Sequence, residues 1–266
     1  MDISIVIRCC NDFKVFDCIQ SIDEETEIIV SLCENKIIQE RLEKLGIKYC
    51  ISPKGNLSLT SNNGFVIALH DKVIITDSDT VFTPTCIRQI YEELDKFKVV
   101  RAKLVFLEKK EILFSKIVAE ARDFVNSLPV VFTPGIGVKK EIVNEIGGFL
   151  FNEIVPFAVD ADLTFRIKRA KLEFRTINTA NIYHVPEKVK HDLRAAFRIG
   201  EGCMISAKSL SKFYNIKKSK IFWELKAVKP KHYPNLIRTK GLKVFIYQLL
   251  WDIQFFRGAF ISKLKN

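Results

Sequence analysis

Lys72-Val73-Ile74-Ile75-Thr76-Asp77-Ser78-Asp79 is the stretch that decides the fold. Its run of β-branched residues predicts a strand buried on both faces, and this strand ends in two aspartates separated by one residue. Three similar strands are predicted before it, at Ile3–Ile7, Glu27–Leu32 and Ile47–Ile51, and a helical pattern follows each of them. The alternation predicts parallel strands joined by right-handed crossovers, and therefore an α/β fold.

The second half of the chain has a less regular pattern. It predicts strands at Val99–Phe106 and Glu173–Tyr183, and a turn-rich loop at Thr133–Gly137. It predicts helices at Ile87–Phe97, Lys139–Ile146 and Asp160–Ala170, the second of them closed by Gly147-Gly148. The last eighty residues are predicted to be helices broken by Pro230–Pro234. In sheets of this kind ligands bind at the carboxyl ends of the strands, where Asn11, Glu34 and Asp77 fall.

Composition is that of an ordinary folded protein, with 48% hydrophobic and 27% charged residues. The seven cysteines are scattered without metal-ligand spacing, which favours buried thiols in a reducing cytosol over disulfides or a zinc site. The N-terminus shows no signal-peptide pattern, so a cytoplasmic location is expected.

Positive charge is concentrated after residue 186. That segment carries 18 Lys and Arg against five Asp and Glu, a net charge of +13, whereas the remainder has 24 basic and 26 acidic residues. A solvated surface, an anionic membrane face and a nucleic-acid site all remain open, because charge alone does not separate them.

The carboxylates suggest a chemistry. Asp77 and Asp79 can share a pocket if the chain turns between them, and such a pair can hold a divalent cation that neutralises a diphosphate. A surface turn explains the same motif about equally well. Asp160, which precedes a helical pattern, is either an N-cap or a general base, and Asp162 can pair with Arg166 one helical turn later. His184 follows a predicted strand and is either structural or a third metal ligand.

In this order, these features resemble family 2 of the glycosyltransferases, which have a GT-A fold. The resemblance runs from Ile3 to about Gly202 and rests on six stretches: Ser4-Ile5-Val6-Ile7-Arg8-Cys9-Cys10-Asn11, Gly55–Asn62 with Gly64, Asp77-Ser78-Asp79, Gly135–Phe149, Val159–Arg166, and His184 with Arg194, Arg198, Gly200 and Gly202.

The chain departs from the family pattern at several of these positions. Arg8 and Cys10 stand where Pro and Tyr are usual, Ser61 replaces an Arg, and Val159 replaces the first Glu of an acidic pair. Glu34 stands near the place of the Asp that contacts the nucleotide base in the family. The processive Gln-x-x-Arg-Trp signature is absent after Asp162, which favours addition of a single sugar.

The resemblance implies a GT-A, Rossmann-like, mostly parallel sheet flanked by helices. It implies a catalytic domain over residues 1–186, with a nucleotide half to about 85 and an acceptor half from 86, followed by a basic helical extension over 187–266. The implied reaction is inverting transfer of a sugar from a nucleotide-sugar donor to a hydroxyl of a glycan or polyprenyl-linked acceptor.

The resemblance also implies roles for individual residues. Asp160 would be the base, and Asp79 would be the main ligand of Mn²⁺ or Mg²⁺, with His184 completing the shell. Asp77 would contact the ribose, or the metal through water. Nucleotide contacts are implied for Arg8, Asn11, Glu34, Asn62, Asp77 and Ser78, and acceptor-side roles for Gly135, Gly137, Asp162, Arg194 and Arg198.

The segment Leu242–Leu264 carries apolar residues at helical spacing, interrupted by Lys243, Asp252 and Arg257. It predicts an amphipathic helix that either docks on the core or lies on an anionic membrane surface, with Lys217-Lys218-Ser219-Lys220 nearby. In the second case the enzyme would be peripheral on the inner face of the cell membrane.

Two other functions stay open. A nucleotidyltransferase would usually have a glycine- and lysine-rich phosphate loop after the first strand, and Arg8-Cys9-Cys10-Asn11 has no glycine. A nucleic-acid-binding protein would use the basic third of the chain, but it leaves the carboxylates unexplained and no known reading motif is present. We therefore expect no nucleic-acid partner.

Overall fold

An eight-stranded sheet organises the computed structural model, which describes residues 1–265. Its first half is built of β1 (Ile3–Cys9), β2 (Glu27–Cys33), β3 (Lys48–Ser52) and β4 (Lys72–Asp77), joined by α1 (Val15–Gln20), α2 (Lys36–Lys44) and α3 (Leu57–Ile67). β1 pairs in parallel with both β2 and β4, and β2 pairs in parallel with β3. The predicted parallel crossovers are confirmed.

The second half adds antiparallel strands to the same sheet. Its elements are β5 (Thr80–Phe82), α4 (Cys86–Glu93), β6 (Val99–Phe106), α5 (Ser115–Asn126), β7 (Ile136–Lys139), α6 (Ile142–Glu145), α7 (Val159–Arg169) and β8 (Phe174–His184). The strand order is β3-β2-β1-β4-β7-β6-β8-β5. β7 is antiparallel to β4 and β6, and β5 is antiparallel to β8. The predicted α/β class is confirmed.

The helix predicted at Lys139–Ile146 is largely wrong. Only Ile142–Glu145 is helical, and the residues before it form β7, which the sequence suggested was a loop. The reason is tertiary: Ile136 and Val138 are fully buried between β4 and β6, and this non-local pairing outweighs the local pattern. The predicted end of the helix is confirmed, because Gly147 and Gly148 both have positive φ angles, of 110° and 87°.

Close packing of α3 on the sheet depends on one glycine. A Cβ added to Gly64 would lie 2.3 Å from Cγ1 of Val6, a fully buried residue of β1. Any larger side chain would therefore push α3 away from the strand that leads to the predicted site.

Glu27 ties three parts of the parallel sheet together. Its carboxylate accepts hydrogen bonds from Ser4 Oγ at 2.6 Å, Lys48 Nζ at 2.8 Å and the backbone N–H of Leu69 at 2.7 Å. Burial alone would raise the pKa of Glu27, but the three hydrogen bonds outweigh it and lower the pKa below its ordinary value of 4.5.

Glu27→Gln is therefore expected to lower the free energy of unfolding by about 1 kcal/mol at pH 7. Because the folded-state pKa is depressed, this contribution is present above pH 4.5 and is lost as the pH falls through the folded pKa, so the two proteins should converge in acid. Urea unfolding at several pH values measures the difference. Glu40→Gln, an exposed change on α2, is the control, and a difference that grows toward low pH would contradict the assignment.

The chain forms two compact units. Unit 1 comprises Met1–Leu104, Val131–Glu153 and Arg166–His184, and it contains nearly all of the sheet. Unit 2 comprises Val105–Val130, Ile154–Phe165 and the chain from Val185 onward.

Unit 2 is helical. It includes α5, the first turns of α7, and then α8 (Val189–Tyr214), α9 (Lys218–Leu225), a 3₁₀ turn at Pro230–His232, α10 (Tyr233–Lys240) and α11 (Leu242–Lys265). The predicted break at Pro230–Pro234 is confirmed by the 3₁₀ turn. α8 and α11 approach so closely that a Cβ on Gly200 would lie 1.9 Å from the carbonyl oxygen of Phe255, and one on Gly258 would lie 2.0 Å from that of Phe197.

Asp252, which interrupts the apolar pattern of α11, is buried in unit 2. Its carboxylate accepts from Lys226 Nζ at 2.5 Å, from Gln248 Nε2 at 2.9 Å and from the hydroxyl of Tyr233. Lys226 is only 2% exposed and also donates to the carbonyl of Val228. Burial lowers the pKa of Lys226, and the negative charge of Asp252 opposes that shift.

The two faces of α11 differ in burial. One face is buried in unit 2 and includes Tyr247, Trp251 and Phe255. The opposite face exposes an apolar stripe of eight residues: Leu242, Ile246, Leu249, Leu250, Ile253, Phe256, Phe260 and Leu264. One face of α11 therefore packs within unit 2, and the apolar stripe on the other face is exposed. Within residues 1–265, no helix combines the length and hydropathy needed to span a bilayer.

All seven cysteines are free. Burial raises the pKa of Cys9 to about 11 and the pKa values of Cys18, Cys86 and Cys203 to about 12, so these thiols are protonated at neutral pH. Cys10 is exposed at the end of β1.

Candidate functional site

The carboxyl ends of β1, β2 and β3 enclose a cleft of about 450 Å³ in unit 1. Asn11 and Glu34, both predicted to contact a nucleotide, line it together with Cys10, Cys33, Ile51, Ser52, Pro53 and Lys54. Asn11 has a positive φ of 57° and its side chain accepts a hydrogen bond from Asn35, which fixes this turn. The cleft lies at the sheet edge where the sequence predicted a ligand.

Arg8, which is buried, and the partly exposed Asp77 form an ion pair between neighbouring strands. They are paired in register on β1 and β4, and Arg8 Nη2 lies 2.6 Å from Asp77 Oδ1. The same nitrogen donates to Thr133 Oγ1 at 2.8 Å, and Arg8 itself is 5% exposed. The guanidinium therefore fixes one carboxylate of the Asp-x-Asp motif and neutralises its charge.

The chain turns tightly through Ser78, as the motif requires. Ser78 N donates to the carbonyl of Arg8 at 3.0 Å, and Thr80 Oγ1 donates to the carbonyl of Asp77 at 2.7 Å. The hydroxyl of Ser78 donates to Asp12 Oδ2 at 3.3 Å. These bonds hold the turn between the two aspartates.

Asp79 and His184 meet at the other side of this turn. β5 follows Asp79 directly, and its first residue, Thr80, pairs with His184 at the end of β8. His184 Nε2 lies 3.5 Å from Asp79 Oδ2, and the two side chains are 11% and 24% exposed. The sheet thus brings together residues that are 105 positions apart in sequence.

The donors of Asp79 and His184 fit a hard divalent cation. Two ligands bonded at about 2.1 Å to one octahedral ion lie about 3 to 4 Å apart, which includes the observed separation. A carboxylate with an imidazole suits Mn²⁺ better than a set of oxygen ligands alone. Both side chains remain partly accessible to a ligand.

Asn62, Gly135 and Gly137 all lie inside unit 1. The amide of Asn62 donates to the carbonyl of Phe151 at 2.9 Å and accepts from its N–H at 3.2 Å. A Cβ on Gly135 would lie 2.1 Å from Ile182 Cδ1, and one on Gly137 would lie 2.5 Å from Ile90 Cγ2. The absence of a side chain at both glycines is therefore required for packing at β7.

Asp160 lies in the first turn of α7, where the helix dipole favours a carboxylate. It is partly exposed and belongs to unit 2. The backbone just before it is held firmly: Ala158 has a positive φ of 64°, and a Cβ on Gly202 of α8 would lie 2.1 Å from the carbonyl oxygen of Phe157.

The other residues of the α7 signature are buried. Asp162 is 1% exposed and accepts from Ser206 Oγ of α8 at 2.7 Å. Arg166, in the unit 1 part of the helix, donates to the carbonyls of Ile146, Phe149 and Leu150. Arg194 and Arg198 are exposed on α8.

Sequence reasoning missed four polar residues at the sheet edge. Asp12, Ser52, Lys54 and Thr133 contact or line the features described above. Asp12 and Lys54 follow strand ends, and the rule that located Asn11 and Glu34 would have found them as well. Thr133 lies in the loop before β7, and no local pattern links it to Arg8.

No protein-family model matches the chain, and no curated protein matches it by sequence. Solved structures do match its fold. Residues 1–349 of TarS from S. aureus, in complex with UDP-GlcNAc, align with a TM-score of 0.54 at 15% identity, covering 98% of this chain and 90% of that one. GalNAc-T7 with UDP, GalNAc and Mn²⁺ aligns with a TM-score of 0.57 at 12% identity, covering 84% of this chain and 56% of that one.

The chain has a GT-A-like fold. A longer TarS chain gives the same result, with a TM-score of 0.53 at 14% identity. That alignment covers 97% of this chain but only 55% of the TarS chain. The shared architecture is the sheet with its flanking helices and C-terminal helical segment.

Proposed function

We propose that this protein is an inverting glycosyltransferase of the family 2 type that uses a nucleotide-sugar donor. The observation that carries the proposal is the turn after β4 in a GT-A-like fold, where Asp77 is fixed by Arg8 and Asp79 lies 3.5 Å from His184. The structural neighbours TarS and GalNAc-T7 were solved with UDP-GlcNAc and with UDP, respectively, which supports a nucleotide-sugar donor.

The cleft at the ends of β1 to β3 is the proposed nucleotide site. Asn11 can donate from its amide, and the exposed Glu34 can accept a hydrogen bond from a base N–H. Lys54 brings a cation to the same cleft, where it can offset part of the diphosphate charge.

Asp79 and His184 would hold a Mn²⁺ or Mg²⁺ ion, and Asp77 would contact the ribose of the donor or, through water, the ion. When bound, such an ion stabilises the negative charge that develops on a departing diphosphate. Asp77 is already neutralised by Arg8, so Asp79 is the carboxylate we assign as the main ligand.

Asp160 is the proposed general base. A hydroxyl oxygen of the acceptor forms a bond to the anomeric carbon while the bond from that carbon to the diphosphate oxygen breaks. The electron pair leaves with the diphosphate, and the hydroxyl proton passes to the Asp160 carboxylate. A general base must keep a fixed orientation. The left-handed backbone at Ala158 and the place of Asp160 in the first turn of α7 both suit that role.

Labelling of Cys10 tests the donor site directly. We expect a maleimide to modify Cys10 in the folded protein, because its thiol is exposed and lines the cleft, and we expect a nucleotide sugar with Mn²⁺ to slow this reaction. UDP-GlcNAc and other nucleotide sugars form the panel, thermal shift and hydrolysis are measured in parallel, and peptide mass spectrometry locates the label.

The partly buried Cys50 is the internal control, because it lies outside the cleft lining. Failure of every nucleotide sugar to protect Cys10 or to shift the melting temperature would contradict the proposal. Steeply salt-dependent binding of DNA or RNA without hydrolysis of any donor would favour the nucleic-acid alternative instead.

The acceptor is proposed to be a glycan or a polyprenyl-linked sugar, and the exposed stripe of α11 is proposed to hold the enzyme on an anionic membrane. The eight stripe residues occupy about one third of the helix circumference, as in interfacial helices. Lys243, Arg257 and Lys263 on the same helix supply positive charge, with Lys217, Lys218 and Lys220 at the start of α9.

Vesicle flotation tests the stripe. Wild-type protein is expected to float with phosphatidylglycerol vesicles, and Ile246→Glu with Ile253→Glu is expected to reduce the floated fraction several-fold, because two exposed apolar contacts are lost. Phe213→Glu, an equally exposed change on α8, is the matched control. Equal flotation of the double variant and the wild type would count against the membrane role.

A further inference from the structure

A large apolar groove lies in unit 2, and its lining includes Arg194 and Arg198, the two α8 residues for which the resemblance implies acceptor-side roles. Its volume is about 1010 Å³, at the upper end of the range of about 300–1,000 Å³ typical of small-molecule sites. Its lining comes from the N-terminal half of α8, from the segment 111–114 before α5 and from Gln254 of α11.

The floor of the groove is strongly apolar. Leu193 and Phe197 of α8 face the segment that carries Ile112, Leu113 and Phe114. Leu113 is 75% exposed and Phe114 is 56% exposed, which is unusual for two adjacent large apolar side chains. Phe114 also has a φ of 61°, in the left-handed region that a bulky residue rarely adopts. The chain thus holds apolar surface open to solvent on a strained backbone.

Cations surround this apolar floor. Lys188, Lys190, Arg194 and Arg198 line the groove, whereas Glu111 and Glu201 are its only acidic lining residues within the described chain. Over residues 1–265, Lys188, Lys190 and Arg194 have no carboxylate partner within 4.0 Å. Glu201 already receives a hydrogen bond from Lys265 at 3.4 Å. With four cations against two carboxylates, the lining carries an excess of two positive charges.

We infer that this groove binds a single anionic amphiphile, with a hydrocarbon chain on the apolar floor and a phosphate head group against the cations of α8. The volume of about 1010 Å³ has room for one hydrocarbon chain, and the apolar side chains and the cations line the same groove. Arg194 supplies the forked donors that phosphate oxygens prefer. A lipid-linked acceptor would be one such amphiphile, but the inference holds whether or not the protein transfers a sugar.

Titration calorimetry with dodecyl phosphate below its micelle concentration tests the inference. Inorganic phosphate supplies the head group alone, and dodecyl maltoside supplies the same chain on a neutral head. Dodecyl phosphate is expected to bind at least about tenfold more tightly than either, and its affinity is expected to fall as salt is raised.

Two variants separate the two halves of the site. Leu113→Glu places a charge on the apolar floor, and Lys190→Glu with Arg194→Glu reverses the charge beside it; each is expected to weaken dodecyl phosphate binding at least about tenfold. Phe213→Glu and Lys208→Glu are matched controls on exposed parts of α8 outside the groove, and they should leave the affinity unchanged.

Equal affinities for dodecyl phosphate and dodecyl maltoside, or unchanged binding in both groove variants, would overturn the inference. Tighter binding of an acidic amphipathic peptide than of dodecyl phosphate would also overturn it, because it would assign the groove to a protein partner. The shift in melting temperature caused by UDP-GlcNAc is measured on the same variants. If no nucleotide sugar of the panel shifts the melting temperature of the wild type, the proposed function alone is contradicted, so the two failures are distinguishable.

Discussion

Asp79→Asn is expected to lower the turnover of a nucleotide sugar by about 10²- to 10⁴-fold. The reason is that Asp77 is already held by Arg8, whereas the Asp79 carboxylate lies 3.5 Å from the His184 imidazole. Replacing the carboxylate by an amide keeps its size and removes the charge that would hold a divalent cation. Donor hydrolysis with Mn²⁺ or Mg²⁺ measures the effect.

Asp71→Asn is the matched control, since Asp71 is exposed at the opposite end of β4. Its rate should equal that of the wild type, and both variants should melt at the wild-type temperature. If Asp79→Asn retains full turnover with every donor that the wild type hydrolyses, the metal assignment is wrong.

Asp252→Leu is expected to lower the free energy of unfolding of unit 2 by about 3–5 kcal/mol. Lys226 is 2% exposed, so removal of Asp252 leaves a buried ammonium group without its counter-charge. Gln248 and Tyr233 lose the same acceptor. Both tryptophans, Trp223 and Trp251, belong to unit 2, so tryptophan fluorescence during urea unfolding measures the effect.

The combined variant Lys226→Met with Asp252→Leu separates charge from packing. Because it replaces both members of the pair with apolar side chains of similar size, it should recover most of the lost free energy. A single variant that costs less than about 1 kcal/mol, or a combined variant as unstable as the single one, would show that the ion pair is not the cause.

The elements predicted well from sequence are those whose pattern is local. The four parallel strands and the helices between them carry apolar residues at the spacing of their own structure, and the predicted bounds of the strands agree with the observed ones to within about two residues. β7 was missed because Ile136–Lys139 becomes a strand only through pairing with β4 and β6, whose partners lie far away in sequence.

The candidate site shows the same division. Asn11, Glu34 and Asp77 could be located from the rule that strand ends meet at one edge of a sheet. The pairing of Arg8 with Asp77 could not, because a charged residue within an apolar strand gives no sign of its partner on the next strand. Asp252 is a similar case: in the sequence it only interrupts an apolar stripe, whereas the fold supplies Lys226, the residue that follows α9.

The threading of the chain through its two compact units limits how the protein can be divided. The chain passes from one unit to the other near residues 104, 130, 153, 165 and 184. A shortened chain that ends after β8 would retain residues 105–130 and 154–165 without the α8 and α11 partners that belong to their unit. Gene fusion or domain exchange at a single point in the sequence is therefore expected to leave one unit incomplete. Neither unit can be produced as one uninterrupted segment of the chain.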